Sequence, residues 1–231
     1  MKIFCIGDSL ALPGHTNMYE DTWFCKLKIH YPQHDFISFF KRKITTDVLV
    51  SMGGGENTEH AFPTGADCLE YYMPNIVIVQ LGIVDCAPRL INDKSIIWKI
   101  VRRMPNVIVN KYINYLKKNT TRNPKNVIIS ESIFQSNLIN YFDRCKKWNV
   151  DKLIYISIAI PSQEMVDKNS TIIENVVKFN NIIKTLAKNY NFIDVIEPLK
   201  GDILEDIYED GYHPNPKGND LVFQALVSHI S

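Results

Sequence analysis

The sequence predicts an α/β fold with a mainly parallel sheet covered by helices on both faces. Three observations predict it. Short runs of β-branched and apolar residues, several of them stopped by glycine or proline, alternate with longer segments of helical periodicity. The short runs are continuously apolar rather than alternating, the pattern of strands buried on both faces. At 231 residues, with 45% hydrophobic and 22% charged residues, the chain can bury a real core and is short for two domains, so residues 1–231 are read as one.

Lys2–Ile6 is the first such run, stopped by Gly7. Residues 21–31 place Trp23, Phe24, Leu27 and Ile29 on an imperfect helical face that Pro32 ends. Asp35–Phe40 (DFISFF) reads as the second strand, and Thr45–Ser51 as a helix leading into Gly53-Gly54-Gly55. Ile76–Leu81 (IVIVQL), between Pro74 and Gly82, is the clearest buried strand. A long helical stretch follows from Lys94 to Lys118, with a break expected near Pro105. Asn126–Ile129 reads as a further strand, followed by a helix through about Trp148. Lys152–Ile160 is a strand closed by Pro161, Thr171–Tyr190 a helix, Phe192–Val195 the last strand and Lys217–Ile230 a terminal helix.

Composition excludes several classes of function. The net charge is +1, and the short basic groups Lys41-Arg42-Lys43 and Arg102-Arg103 read as solvated surface, so no nucleic-acid partner is expected. Five scattered cysteines without a Cys-x-x-Cys pair fit neither a disulfide framework nor a zinc site, and suit a reducing compartment. The first apolar run ends too early for a secretory signal, and no stretch approaches the ~20 apolar residues of a membrane span. A cytoplasmic location is the expectation. The glycines at 53–55 lack phosphate-loop and dinucleotide spacing, and the six histidines are dispersed, so neither a cofactor nor a metal is expected.

In a parallel sheet ligands bind outside the carboxyl ends of the strands. Ser9 lies there, just after the first strand and behind Gly7-Asp8. A serine hydroxyl needs a base before it can attack. His213 is the best placed of the histidines, in the loop Asp210-Gly211-Tyr212-His213-Pro214 before the terminal helix. Asp210, three residues earlier, can fold back onto the ring nitrogen that faces away from the serine, fixing the tautomer and stabilising the imidazolium. Cys86 has no base placed for it and reads as packing.

IGDSL at 6–10 with DGYHPN at 210–215 resembles the SGNH/GDSL hydrolase superfamily across essentially the whole chain. The resemblance implies a three-layer, flavodoxin-like fold with a five-stranded sheet. It also implies Ser9 as nucleophile, His213 as base and Asp210 as its orienting acid. In the family a backbone N–H after the second strand and an asparagine in Gly-x-Asn-Asp complete the oxyanion hole. Here the third block reads Gly82-Ile83-Val84-Asp85, and valine has no donor; losing one such donor typically costs ~3 kcal/mol in the transition state. Arg89 is the candidate replacement, or a holder of an anionic substrate, or else a structural partner of Asp85. For the second block, counting back from Gly82 points to Gly55, with Asn57 as a further donor, and counting forward from Ser9 points to Lys43. The string QLGIVDCAPR resembles a subgroup of bacterial SGNH-like proteins. The function implied is a serine esterase for O-acyl, above all O-acetyl, groups of a carbohydrate or related small substrate. The alternatives are an O-acyltransferase in surface-polysaccharide biosynthesis and an impaired SGNH-fold binding module.

Overall fold

A computed structural model of the chain describes residues 1–50, 65–91, 95–120, 122–200 and 205–230. Among them, β1 (Lys2–Gly7), β2 (Asp35–Phe40), β3 (Ile76–Gln80), β4 (Lys152–Ile156) and β5 (Ile193–Ile196) form one sheet. The order is β2-β1-β3-β4-β5 and every pairing is parallel. The helices are α1 (Trp23–His30), α2 (Gly65–Tyr72), α3 (Ile83–Cys86), α4 (Ile96–Val101), α5 (Asn106–Asn119), α6 (Glu131–Lys147), α7 (Gln163–Lys168), α8 (Ile172–Ala187) and α9 (Pro216–Ile230).

The apolar strands bury both faces because successive side chains point to opposite sides. Ile3, Cys5, Ile78 and Ile154 pack on one face against Trp23 and Leu27 of α1 and Val222 and Leu226 of α9. Phe4, Ile6, Val79 and Tyr155 pack on the other against α6 and α8, through Phe134, Leu138, Val176 and Phe179. Each such side chain is worth roughly 1.5–3 kcal/mol when fully buried. A one-residue slip would exchange the two faces along a whole strand, so the register is tightly specified.

Three expectations are corrected. Asn126–Ile129 is not a strand but a hook under the loop after β3: Arg89 N–H donates to the Asn126 carbonyl and Asn126 Nδ2 donates to the Arg89 carbonyl, both at 2.7 Å. The Lys152–Ile160 strand stops at Ile156, because the Asn180 side chain takes over the backbone of Ile158, accepting from its N–H at 2.9 Å and donating to its carbonyl at 2.7 Å. Of the segment 45–51, residues 45–50 hold a short 3-10 turn at Thr46–Leu49 rather than an α-helix, and Ser51 lies outside the described residues. The break near Pro105 is present: α4 ends at Val101 and α5 starts at Asn106, since proline has no N–H and disfavours helical backbone before it. Among the described residues no helix is long and apolar enough to cross a membrane.

Candidate active site

From β1 the chain passes to β2 on one side, and β3 then pairs with the other side of β1. At such a reversal the connections leave in opposite directions and a crevice opens at the strands' carboxyl ends. Asp8 N–H donates to the Gln80 carbonyl at 3.2 Å, which sets the end of β1 beside that of β3. Ser9 opens the 3-10 turn Ser9–Ala11, fixed by the Asp8 carboxylate accepting from Leu10 N–H at 2.9 Å. The hydroxyl therefore stands at the crevice mouth.

The loop carrying His213 is braced by its own backbone and its neighbours. Glu209 N–H donates to the His213 carbonyl, and Asn215 N–H to that of Ile207, both at 2.9 Å. Gly211 has φ 102°, a conformation that L side chains rarely adopt, and this turns the chain so that Asp210 faces His213. The Glu209 carboxylate accepts from His15 N–H and from Thr16 N–H and Oγ1 at 2.8–3.1 Å, so the segment after Ser9 is tied to the His213 loop. Asn219 of α9 accepts from Trp23 N–H at 3.1 Å, and Trp23 Nε1 donates to Gln80 at 2.9 Å, linking the last helix to α1 and β3.

Together these braces bring Ser9, Asp210 and His213 into one line. Ser9 Oγ lies 3.0 Å from His213 Nε2, and His213 Nδ1 lies 2.7 Å from Asp210 Oδ2. Asp210 Oδ1 accepts from His213 N–H at 3.1 Å. Partial burial raises the Asp210 carboxyl, but the His213 backbone and ring hydrogen bonds and the ring's charge outweigh it and hold the group below its ordinary value. The Tyr212 ring tilts over the imidazole with centroids 4.5 Å apart.

Ser9 opens into a cavity of about 320 Å³ lined by Lys43, Val84, Arg89, Arg122 and Tyr212 as well as apolar side chains. Lys43 lies in the turn after β2 with φ 63°, a left-handed conformation where glycine is the easier residue. Among the described residues neither the Lys43 nor the Ser9 backbone N–H has a protein acceptor. Gly82, with φ 129°, turns the chain from β3 into α3 and so presents Val84 to the cavity. Asp85 does not line it. It is buried, and accepts from Thr46 N–H at 2.9 Å and Oγ1 at 2.6 Å. Asp85 therefore fastens the turn after β2 to α3 rather than touching a ligand, and it makes no pair with Arg89. Gly55 and Asn57 lie outside the described residues.

Two buried carboxyls lie close to Ser9. Burial raises Asp8 to about 7, against the Leu10 hydrogen bond that lowers it and with the Asp85 charge adding to the rise. Burial likewise raises Asp85 to about 6, opposed by the Thr46 hydrogen bonds. Cys86 is fully buried, and burial pushes its thiol far above the ordinary range, which leaves no thiolate to attack. Sequence reasoning missed Arg122 and Tyr212 as cavity residues, and missed the hooks Asn126 and Asn175. Asn175 Nδ2 donates to the Cys86 and Pro124 carbonyls, both at 2.8 Å. Arg122 and the two asparagines carry no spacing signal, because they reach the site only through the loop between α5 and α6 and through α8.

No family model and no curated protein sequence matches the chain. Solved structures do. A lipase/acylhydrolase from Enterococcus faecalis superposes with a TM-score of 0.61 at 14% identity, over 99% of this chain and 94% of that one. An acetyl xylan esterase from Geobacillus stearothermophilus gives 0.58 at 15% identity, over 100% and 94%. A member of the lipolytic G-D-S-L family from Veillonella parvula gives 0.52 at 14%, over 98% and 96%. The fold is that of the SGNH/GDSL ester hydrolases along essentially the whole chain.

Proposed function

We propose that this chain is a serine ester hydrolase whose nucleophile is Ser9. The observation that carries the reading is the continuous line from Ser9 Oγ through the His213 imidazole to the Asp210 carboxylate, at 3.0 and 2.7 Å. His213 Nε2 takes the Ser9 proton as Oγ bonds to the ester carbonyl carbon, and the carbonyl electrons move to oxygen. Asp210, ionised at neutral pH, steadies the imidazolium. The tetrahedral oxyanion then collapses, the C–O bond to the alcohol breaks, and that alcohol leaves with the proton from Nε2. Water repeats the sequence on the acyl-serine, releasing the acid and restoring Ser9.

The Ser9 and Lys43 N–H groups, without an acceptor among the described residues, are the donors we assign to the oxyanion. Val84 adds none, so the hydrogen bond that an asparagine would give from this position, worth roughly 3 kcal/mol, is missing there. The acyl group we assign is small, an acetyl for choice. A cavity of about 320 Å³, lined in part by three basic residues, leaves little length for a fatty chain. The alcohol part we assign is a carbohydrate or related polyol, in line with the acetyl xylan esterase of the same fold.

Hydrolysis of p-nitrophenyl acetate tests the reading. Ser9→Ala and His213→Ala should each lower kcat by on the order of 10⁴-fold while the thermal melt stays within a few degrees. Turnover that survives either substitution would place the chemistry elsewhere.

A further inference from the structure

The cavity beside Ser9 contains an unusual charge arrangement. Lys43, Arg89 and Arg122 all line it. Among the described residues none of the three is within ion-pairing distance of a carboxylate; the same holds for many basic residues on the open surface, and what sets these three apart is that they share one concavity beside Ser9. A global excess of base does not explain this, because 26 basic residues face 25 acidic ones.

Resting on the ester-hydrolase reading above, we infer that the substrate carries an anionic group, a carboxylate or a phosphate, which Arg89 and Arg122 hold with Lys43 beside them. Like charges gathered in one concavity repel each other, and an anion that enters relieves that repulsion while accepting charge-assisted hydrogen bonds. Partial burial and the charge of Arg89 both lower the Arg122 guanidinium from its ordinary value, the mark of a cation with no counter-ion at hand.

The two arginines are also held in place without ligand. Arg122 Nη1 donates to the Pro88 carbonyl at 3.1 Å, and Asn169 Nδ2 reaches the same oxygen at 3.4 Å. The Arg89 backbone is fixed by its two hydrogen bonds with Asn126. A donor set positioned in advance loses less entropy on binding. Ile83, Ala87, Met165 and Ile172 supply an apolar wall, where charged hydrogen bonds are stronger than in open water. Small acidic sugars and sugar phosphates bearing an O-acyl group are the ester class that fits both the wall and the charges.

Matched ester pairs test the inference. On the acyl side p-nitrophenyl acetate is compared with the mono-p-nitrophenyl ester of succinate. On the alcohol side the methyl ester of p-acetoxybenzoate is compared with p-acetoxybenzoate itself and with p-acetoxyphenyl phosphate. At least one anionic member should be preferred over its neutral partner in kcat/KM. Arg89→Gln should lower that anionic-to-neutral ratio by roughly ten- to a hundred-fold, the worth of a hydrogen bond to a charged group. Among the described residues the Arg89 side chain makes no hydrogen bond or ion pair, so its substitution leaves their contacts in place; Arg122→Gln, which also loses the bond to Pro88, serves as the second variant. The pair that responds tells whether the anion rides on the acyl or the alcohol part.

The inference is overturned if no anionic ester is preferred, or if the variants leave the ratio unchanged. Equal losses on neutral and anionic esters would assign Arg89 to the oxyanion instead. Labelling of Ser9 by a neutral phosphonofluoridate in the same samples separates the two levels. A labelled enzyme with no anionic preference removes this inference alone, and a folded protein that never labels removes it together with the ester-hydrolase reading.

Discussion

At the scale of single residues, the proposed reaction needs Asp210 ionised and correctly aimed, and Asp210→Asn tests both. An amide offers no charge to the imidazolium and can hold the wrong tautomer, so kcat should fall by on the order of 10⁴-fold. Asp8 gives a prediction of a different kind. Its carboxyl is raised to about 7 by burial, and that of Asp85 to about 6, so the native state binds these protons more tightly than the unfolded chain. The stability they contribute is complete below ordinary carboxylate pKa values and is lost as pH rises through about 6 to 7. Asp8→Asn stays neutral and can still accept from Leu10 N–H. Its Tm, measured against wild type by calorimetry, should gain about 4 °C or more between roughly pH 4 and pH 8. A constant difference across that range would show that Asp8 is ionised when folded. The serine, the histidine and its acid were legible because each lies at a strand end or before a helix in a short polar loop. Arg122 was not, since nothing local to it marks a residue that acts across the fold.

At the scale of elements, the runs of β1, β2 and β3 announced their strands to within a residue: burial on both faces leaves one continuous apolar signal in β1 and β3, while β2, at the sheet edge and only partly buried, was marked by its β-forming residues. Asn126–Ile129 misled for the same reason in reverse. Its apolar composition serves Ile129, which is buried in the core, while its backbone bonds the loop after β3 rather than a strand. Lys152–Ile160 read too long because a side chain, Asn180, replaces strand pairing at Ile158, and side-chain substitution for a ladder has no signature in composition. Two other amides, Asn126 and Asn175, hold the segment that carries Arg89. Asn175→Ala breaks two hydrogen bonds, a buried one to the Cys86 carbonyl and a part-buried one to that of Pro124, and should cost about 2–3 kcal/mol in chemical denaturation. It should also raise KM more than it lowers kcat, because Ser9 and His213 are braced by other contacts.

At the scale of the whole molecule, the sheet order matters most. The reversal at β1 brings residue 9 and residue 213 to the same rim, and the clamp of Glu209 on His15 and Thr16 closes the two loops together. The alternation of strands and helices was enough to predict a parallel sheet, whereas the closeness of the two loops came from motif resemblance alone. The cysteines report on the integrity of this arrangement. All five are buried and free, so a water-soluble disulfide reagent should titrate none of them in the native protein and all of them in denaturant, and blocking should leave native turnover intact. The central claim is that the imidazole activates the hydroxyl across that rim. The most direct measurement is peptide mapping after exposure to a phosphonofluoridate, for the wild-type protein and for His213→Ala. The modification should fall on Ser9 in the first and be absent from the second, whereas an unmodified Ser9 in well-folded wild-type protein, or equal modification of both, would contradict the account.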